Sequence, residues 1–136
     1  MSQQDFFGFI RARDRFWELV DGVVVAKPLT DQRHRKITAN TLASLHTQLR
    51  GERCRPTSIG TGVLTAASAV CFPDLVVDCD ERDDEAILAA EPQVVVDVLS
   101  PSTRGFDPHR RLFEYKSTPE IASVLLIDTQ TACVLV

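Results

Sequence analysis

The chain has 136 residues, of which 44% are hydrophobic and 25% charged, and its formal net charge is −4. This length suits one soluble domain with a genuine core, and the acidic balance argues against a protein that coats nucleic acid through bulk positive charge. No apolar run reaches the roughly 18 residues of a membrane span, and the N-terminus lacks the basic and apolar regions of a signal peptide. We therefore expect a cytoplasmic protein with no membrane partner, for which local contact with phosphate remains open.

The N-terminal half predicts a short helix, a hairpin and a long helix. Residues 5–13 place apolar side chains on one helical face, and Asp-Gly at 21–22 between two apolar runs is a strong hairpin signal. Thr30 or Asp31 can cap the second helix, which we expect to end before Gly51.

The C-terminal half predicts mostly strands. One helix is expected over residues 107–117, where Asp-Pro supplies a cap followed by proline at the first helical position. The expected strands are 57–59, 63–65, 72–78, 93–99, 124–128 and 132–136. This order of elements predicts an α/β fold, with a central mixed β-sheet flanked by helices.

The cysteines indicate no metal site. Cys54, Cys71, Cys79 and Cys133 include no CxxC pair and no Cys/His cluster of zinc-site spacing. We expect buried, reduced thiols, with a single disulfide as the alternative.

Asp97 lies in the middle of the aliphatic run Val-Val-Val-Asp-Val-Leu, which is typical of a strand buried on both faces. A buried carboxylate is unfavourable unless a cation pairs with it. Asp74 begins a second aliphatic strand, 23 positions earlier. If the two strands are neighbours, both carboxylates can meet at one place and bind magnesium together with water.

Glu18 is a third carboxylate in an aliphatic segment. Taken singly, Glu18 can equally be solvated on one face of the hairpin, and Asp74 can cap a turn. The three acids together are more informative than any one of them.

Four phrases resemble the Uma-two (Uma2) family of proposed restriction endonucleases. They are Glu-Leu-Val-Asp-Gly (18–22), Pro-Asp-Leu-Val-Val (73–77), Asp-Val-Leu-Ser-Pro-Ser-Thr (97–103) and Asp-Pro-His-Arg-Arg-Leu-Phe-Glu-Tyr (107–115). The resemblance covers about residues 16–136. It implies a single restriction-endonuclease-like domain over 1–136, short at its C-terminal end compared with family members.

The resemblance also implies a site and a reaction. In the PD-(D/E)XK superfamily, acidic residues bind a divalent metal that promotes hydrolysis of DNA phosphodiester bonds. Asp74 and Asp97 would bind Mg²⁺ or Mn²⁺, the backbone carbonyl of Val98 could add a ligand, and Glu18 would assist catalysis. A homodimer would suit a small nuclease that faces a two-stranded duplex.

Two positions depart from the family pattern. Asp97 stands where the family usually has glutamate. The aspartate side chain is one methylene shorter, so its carboxylate lies closer to the backbone. Arg111 stands where family members place a lysine, and the superfamily lysine position in the strand is Leu99. Arginine does not lose its proton, so Arg111 cannot be a general base, although it can stabilise phosphate charge. Lys116 lies further along the helix at a different spacing.

Basic side chains near the proposed site suggest phosphate contacts from His34, Arg104 and Arg111. The alternative is a solvated helix face with local ion pairs. Two hypotheses follow: a metal-dependent DNA endonuclease, or a catalytically weakened relative that binds nucleic acid or protein. Cleavage gained on restoring lysine at Arg111 would favour an otherwise intact site.

Overall fold

The structure is a computed structural model that describes residues 1–13, 16–66, 68–80, 83–100, 108–131 and 133–135. Its helices are α1 (Gln3–Arg11), α2 (Gln32–Gln48) and α3 (Pro108–Lys116). Its strands are β1 (Trp17–Val20), β2 (Val23–Ala26), β3 (Arg55–Thr57), β4 (Val63–Leu64), β5 (Val70–Cys71), β6 (Leu75–Asp78), β7 (Pro92–Leu99), β8 (Ser123–Asp128) and β9 (Cys133–Leu135).

The hairpin and the long helix form where the sequence predicts them. Asp21 and Gly22 both have positive φ, at 51° and 73°, which is the geometry of the type I′ turn that matches strand twist. Asp31 caps α2 by accepting a hydrogen bond from the backbone N–H of His34 at 3.0 Å. That cap fixes the first turn of α2, and with it the position of the His34 ring.

The described strands form two sheets. A four-stranded antiparallel sheet has the order β2-β1-β5-β4, and α1 packs on it through a cluster of Phe6, Leu19, Val70 and Phe72. A five-stranded sheet has the order β3-β6-β7-β8-β9, in which only the β7–β8 pair is parallel. This second sheet is the mixed sheet that the sequence predicts.

Helices cover both faces of the mixed sheet. Leu75, Val96 and Val98 pack against apolar side chains of α2, including Leu42 and Leu45. Tyr115 of α3 packs in a separate cluster with residues of the other face, which include Val76, Val95, Val124 and Leu126. The alternation along β7 therefore directs Asp97 to the side of α3.

The predicted strand over 72–78 is wrong in one respect. Cys71 ends β5 in the four-stranded sheet, and Leu75 begins β6 in the mixed sheet. Residues 72–74 join the two sheets, and Pro73 among them has no N–H to donate to a sheet. This crossing places Asp74 between the sheets.

The expectation of reduced thiols is also wrong for two cysteines. Cys54 and Cys79 form a disulfide, which joins the chain before β3 to the chain after β6. These two segments flank an antiparallel strand pair, which brings their Cα atoms to 4.0 Å. Cys71 is buried with a free thiol.

In the part of the chain that the structure describes, no helix combines the length and apolar character needed to cross a membrane. Helix α3 is described from Pro108, so the predicted cap Asp107 lies outside the described residues.

Candidate active site

Asp74 and Asp97 lie side by side where β6 and β7 separate. Leu75 pairs with Val96, so the register extended by one position places the two aspartates opposite each other. The backbone N–H of Asp74 donates to Asp97 Oδ1 at 3.3 Å, and the backbone N–H of Val98 donates to Asp74 Oδ2 at 2.8 Å. Each carboxylate is thus oriented by the backbone of the neighbouring strand.

Glu18 lies beside this pair and is bound by Arg111. The Arg111 guanidinium donates to Glu18 Oε1 at 3.2 Å and to Oε2 at 2.7 Å, and its Nε lies 3.7 Å from Asp97 Oδ2. The backbone N–H of Phe72 donates to Glu18 Oε1 at 2.8 Å. Glu18 is fully buried, so this forked pair is the kind of ion pair that a carboxylate removed from water requires.

Lys27 is a site residue that the sequence reasoning missed. It directly follows β2, and its ammonium lies 3.7 Å from Asp74 Oδ1 and 4.0 Å from Asp97 Oδ1. The same ammonium donates a hydrogen bond to the Phe72 carbonyl. Its only sequence signal is a lone lysine before a proline, which does not indicate an inward-facing side chain.

Two further side chains orient the acids. His34 Nε2 lies 3.2 Å from Asp74 Oδ2, and the Tyr115 hydroxyl donates to Asp97 Oδ2 at 3.2 Å. The other ring nitrogen of His34, Nδ1, has no hydrogen-bond partner within the described residues, although the side chain is buried.

The surroundings shift the pKa values of the two aspartates in opposite directions. Burial raises the pKa of Asp97 above its ordinary value, although the charges of Arg111 and Lys27 act against burial. Burial acts the same way on Asp74, but the His34 hydrogen bond, the charge of Lys27 and the backbone N–H of Val98 outweigh it, so the pKa of Asp74 is lowered. Asp74 is therefore the more firmly ionised carboxylate.

The structure brings together most of the residues that the sequence selects. Glu18, Asp74, Asp97 and Arg111 share one network, and His34 reaches it through Asp74. Val98 contributes its backbone N–H. Arg104 lies outside the described residues.

The acid pair fits a cation. Among the described residues, no group of three or more histidine, cysteine or acidic side chains converges as metal ligands. Asp74 and Asp97 nevertheless direct one oxygen each at a single ammonium, which stands in for a cation held between two carboxylates. Two carboxylates with water complete the kind of ligand set that Mg²⁺ accepts.

A cavity of about 660 Å³ connects this buried network to the surface. Lys27, His34 and Asp74 line it, together with apolar side chains that include the exposed Leu29. Asp74 therefore borders this cavity, as does the Lys27 side chain that lies against both aspartates.

These features define a protein of α/β fold in which two buried carboxylates share one lysine ammonium. The family model Uma2, described as "Putative restriction endonuclease", matches residues 3–136. The chain belongs to the Uma2 family, which confirms the resemblance seen in the sequence.

Two relatives and a solved structure also resemble this chain. Two Synechocystis sp. proteins named as uncharacterized, sll1609 and slr1290, are 25% identical over 116 residues and 24% identical over 132 residues. These matches cover 82% and 95% of this chain but 65% and 69% of the relatives, so the chain spans about two thirds of their length.

The fold is similar to the crystal structure of a DUF820 protein from Anabaena variabilis, described as a putative nuclease. The TM-score is 0.71 at 16% identity, over 91% of this chain and 72% of that chain. At this identity the likeness shows the fold alone, and it confirms the predicted α/β fold with a mixed β-sheet flanked by helices.

Proposed function

We propose that this chain is a metal-dependent endonuclease that hydrolyses phosphodiester bonds of DNA. The observation that carries the proposal is the pair Asp74 and Asp97, which are buried, opposed across two strands and directed at one cation position. Membership of a family described as "Putative restriction endonuclease" supports a nucleic acid as the substrate.

Asp74 and Asp97 would hold Mg²⁺ or Mn²⁺, with the Val98 carbonyl as a further ligand. When bound, the metal supplies positive charge to the scissile phosphate and lowers the pKa of the attacking water. Asp74, whose pKa is lowered, is ionised across the neutral range and would be the principal anionic ligand.

The remaining residues position this pair and the substrate. Tyr115 and His34 orient the two carboxylates through the hydrogen bonds described above. Glu18 holds the Arg111 guanidinium beside Asp97, where its fixed charge would stabilise charge that develops on the phosphate. Arg104 would contact a neighbouring phosphate.

His34 has a second route to the substrate. Its Nδ1 has no partner within the described residues, and its side chain lines the cavity. Because Nδ1 is itself buried, His34 would contact a phosphate oxygen only after its ring shifts towards the cavity that it lines.

The test is cleavage of supercoiled plasmid DNA by purified protein with Mg²⁺ or Mn²⁺. Asp74→Ala should abolish nicking and metal binding, and Asp74→Asn, which keeps an acceptor for the Val98 N–H, should do the same without disturbing the fold. Asp84→Ala is the matched control, because it removes the same charge from an exposed loop position. Nicking that survives both changes at Asp74 would refute the assignment.

A second candidate function is a binding module without turnover. The observation that favours it is that two cations of the described residues near the acids are already engaged: Arg111 with Glu18, and Lys27 with the aspartates. DNA binding without cleavage, unchanged by Asp97→Asn, would support this alternative. Gel-shift and nicking assays on the same protein preparations distinguish the two functions.

A further inference from the structure

We propose that Lys27 is a tethered counter-cation of the acid pair, which a divalent metal must displace and which therefore sets the metal affinity of the site. This inference rests on the proposed function, because it concerns the same two carboxylates. It assigns a positioning role to a residue outside the family motifs quoted above.

The contacts of the ammonium support this role. Lys27 Nζ approaches the Oδ1 atom of each aspartate, whereas the Oδ2 atoms have other partners. Asp74 Oδ2 is bound by Val98 and His34, and Asp97 Oδ2 by Tyr115. Asp97 Oδ1 also accepts the backbone N–H of Asp74 at 3.3 Å, and the ammonium thus lies beside one oxygen of each aspartate that keeps a lone pair for a cation.

A metal ion and this ammonium compete for the same space. A magnesium ion binds carboxylate oxygens at about 2.1 Å, so an ion held by the two aspartates would lie close to an ammonium whose Nζ is 3.7 and 4.0 Å from their Oδ1 atoms. Two cations this close together repel each other, which favours departure of the ammonium when a metal binds. Metal binding therefore requires the Lys27 side chain to move away.

The structure provides room for this movement. Lys27 lines the cavity of about 660 Å³, whose other walls include Leu29 and Thr30. A side chain with four methylene groups can move its ammonium into the cavity while its backbone stays in place, where Lys27 N–H bonds the Phe16 carbonyl at 2.9 Å. The displaced ammonium would then face the route by which a phosphate reaches the site.

Charge counting explains why the metal-free site needs this lysine. Glu18, Asp74 and Asp97 bring three acidic groups into one buried network, and Arg111 is held mainly by Glu18. Without Lys27, Asp97 would keep the Arg111 guanidinium at 3.7 Å, whereas among the described residues Asp74 would keep the His34 ring at 3.2 Å, so the two aspartates would repel each other with less compensation. Lys27 keeps the acids together until a metal takes its place.

The experiment measures Mn²⁺ binding to the metal-free chain by isothermal titration calorimetry. Lys27→Met should bind Mn²⁺ at least about tenfold more tightly than the wild type, because a unit charge about 4 Å from both carboxylates no longer competes. Lys27→Gln, which keeps a donor for the Phe72 carbonyl, should tighten binding in the same direction if the methionine variant folds poorly. Lys36→Met is the matched control, since Lys36 is an exposed lysine on α2.

A second readout is thermal unfolding in EDTA and in saturating Mn²⁺. The Lys27 variants should melt below the wild type in EDTA, and the gap should close when Mn²⁺ is present, whereas a residue with a merely structural role would leave the gap unchanged. Unchanged or weaker Mn²⁺ affinity in the Lys27 variants, or equal tightening by Lys36→Met, overturns the inference and leaves the proposed function standing. No Mn²⁺ binding by the wild type or by any variant overturns both.

Discussion

The buried pair between Glu18 and Arg111 gives the sharpest test of the site's energetics. Arg111→Met removes both guanidinium hydrogen bonds and leaves a fully buried carboxylate with the backbone N–H of Phe72 as its described donor. Removing one partner of a buried ion pair costs about 3 to 5 kcal/mol, because the remaining charge is uncompensated. That is a large part of the roughly 5 to 15 kcal/mol that stabilises a typical domain.

The assay is urea-induced unfolding followed by the fluorescence of Trp17, the single tryptophan of the chain. The matched control is Arg53→Met, which breaks a pair with Glu91 that has the same N–O distance of 2.7 Å but side chains 66% and 46% exposed. An exposed pair of this kind contributes only about 0 to 1 kcal/mol. Burial is thus the variable that differs between the two pairs.

The double variant Glu18→Gln with Arg111→Met separates charge from packing. If the uncompensated carboxylate causes the loss, replacing it by the neutral amide should recover a substantial part of the stability. An Arg111→Met protein no less stable than Arg53→Met, or a double variant as unstable as Arg111→Met alone, would refute this reasoning.

Three further predictions concern groups near the site and the disulfide. Reducing the Cys54–Cys79 bond, whose sequence separation is 25, should lower the free energy of unfolding by about 3 kcal/mol in urea titrations, and Cys54→Ala should be insensitive to reductant. Burial raises the pKa of the Cys71 thiol from 9.0 to about 12. Because the unfolded thiol ionises first, the wild type should lose stability more steeply than Cys71→Ser as pH rises from 9.0 towards about 12, as measured by thermal unfolding across that range. Tyr115→Phe should lower the free energy of unfolding in urea by about 2 kcal/mol, since a buried hydrogen bond to a carboxylate is lost while the ring remains. An unchanged free energy of unfolding would exclude that bond.

The local part of the fold is predictable from the sequence. The hairpin follows from Asp-Gly at 21–22, α2 from its cap at Asp31, and β7 from its aliphatic run, because each signal lies within a few neighbouring residues. The adjacency of Asp74 and Asp97, which are 23 positions apart, is predictable for a different reason. Two aliphatic strands, each with one carboxylate, leave few ways to bury both charges.

The contacts between the two sheets could not be predicted. Glu18 and Arg111 are 93 positions apart, and Lys27 reaches the aspartates only because β2 and the mixed sheet meet at this place. The crossing at 72–74 looks like continuous strand in sequence, since its flanking residues are apolar on both sides. Tertiary packing determines these contacts and the crossing, and the hydrophobic periodicity of the sequence does not indicate them.

The way the two aspartates are held has a consequence for how the site forms. Both are positioned by backbone N–H groups that depend on the pairing of Leu75 with Val96. A slip of one residue between β6 and β7 would turn the side chains of one strand to the opposite face and break both hydrogen bonds together. The arrangement of the two aspartates therefore depends on the strand register as a whole, and a misregistered molecule would lack both hydrogen bonds.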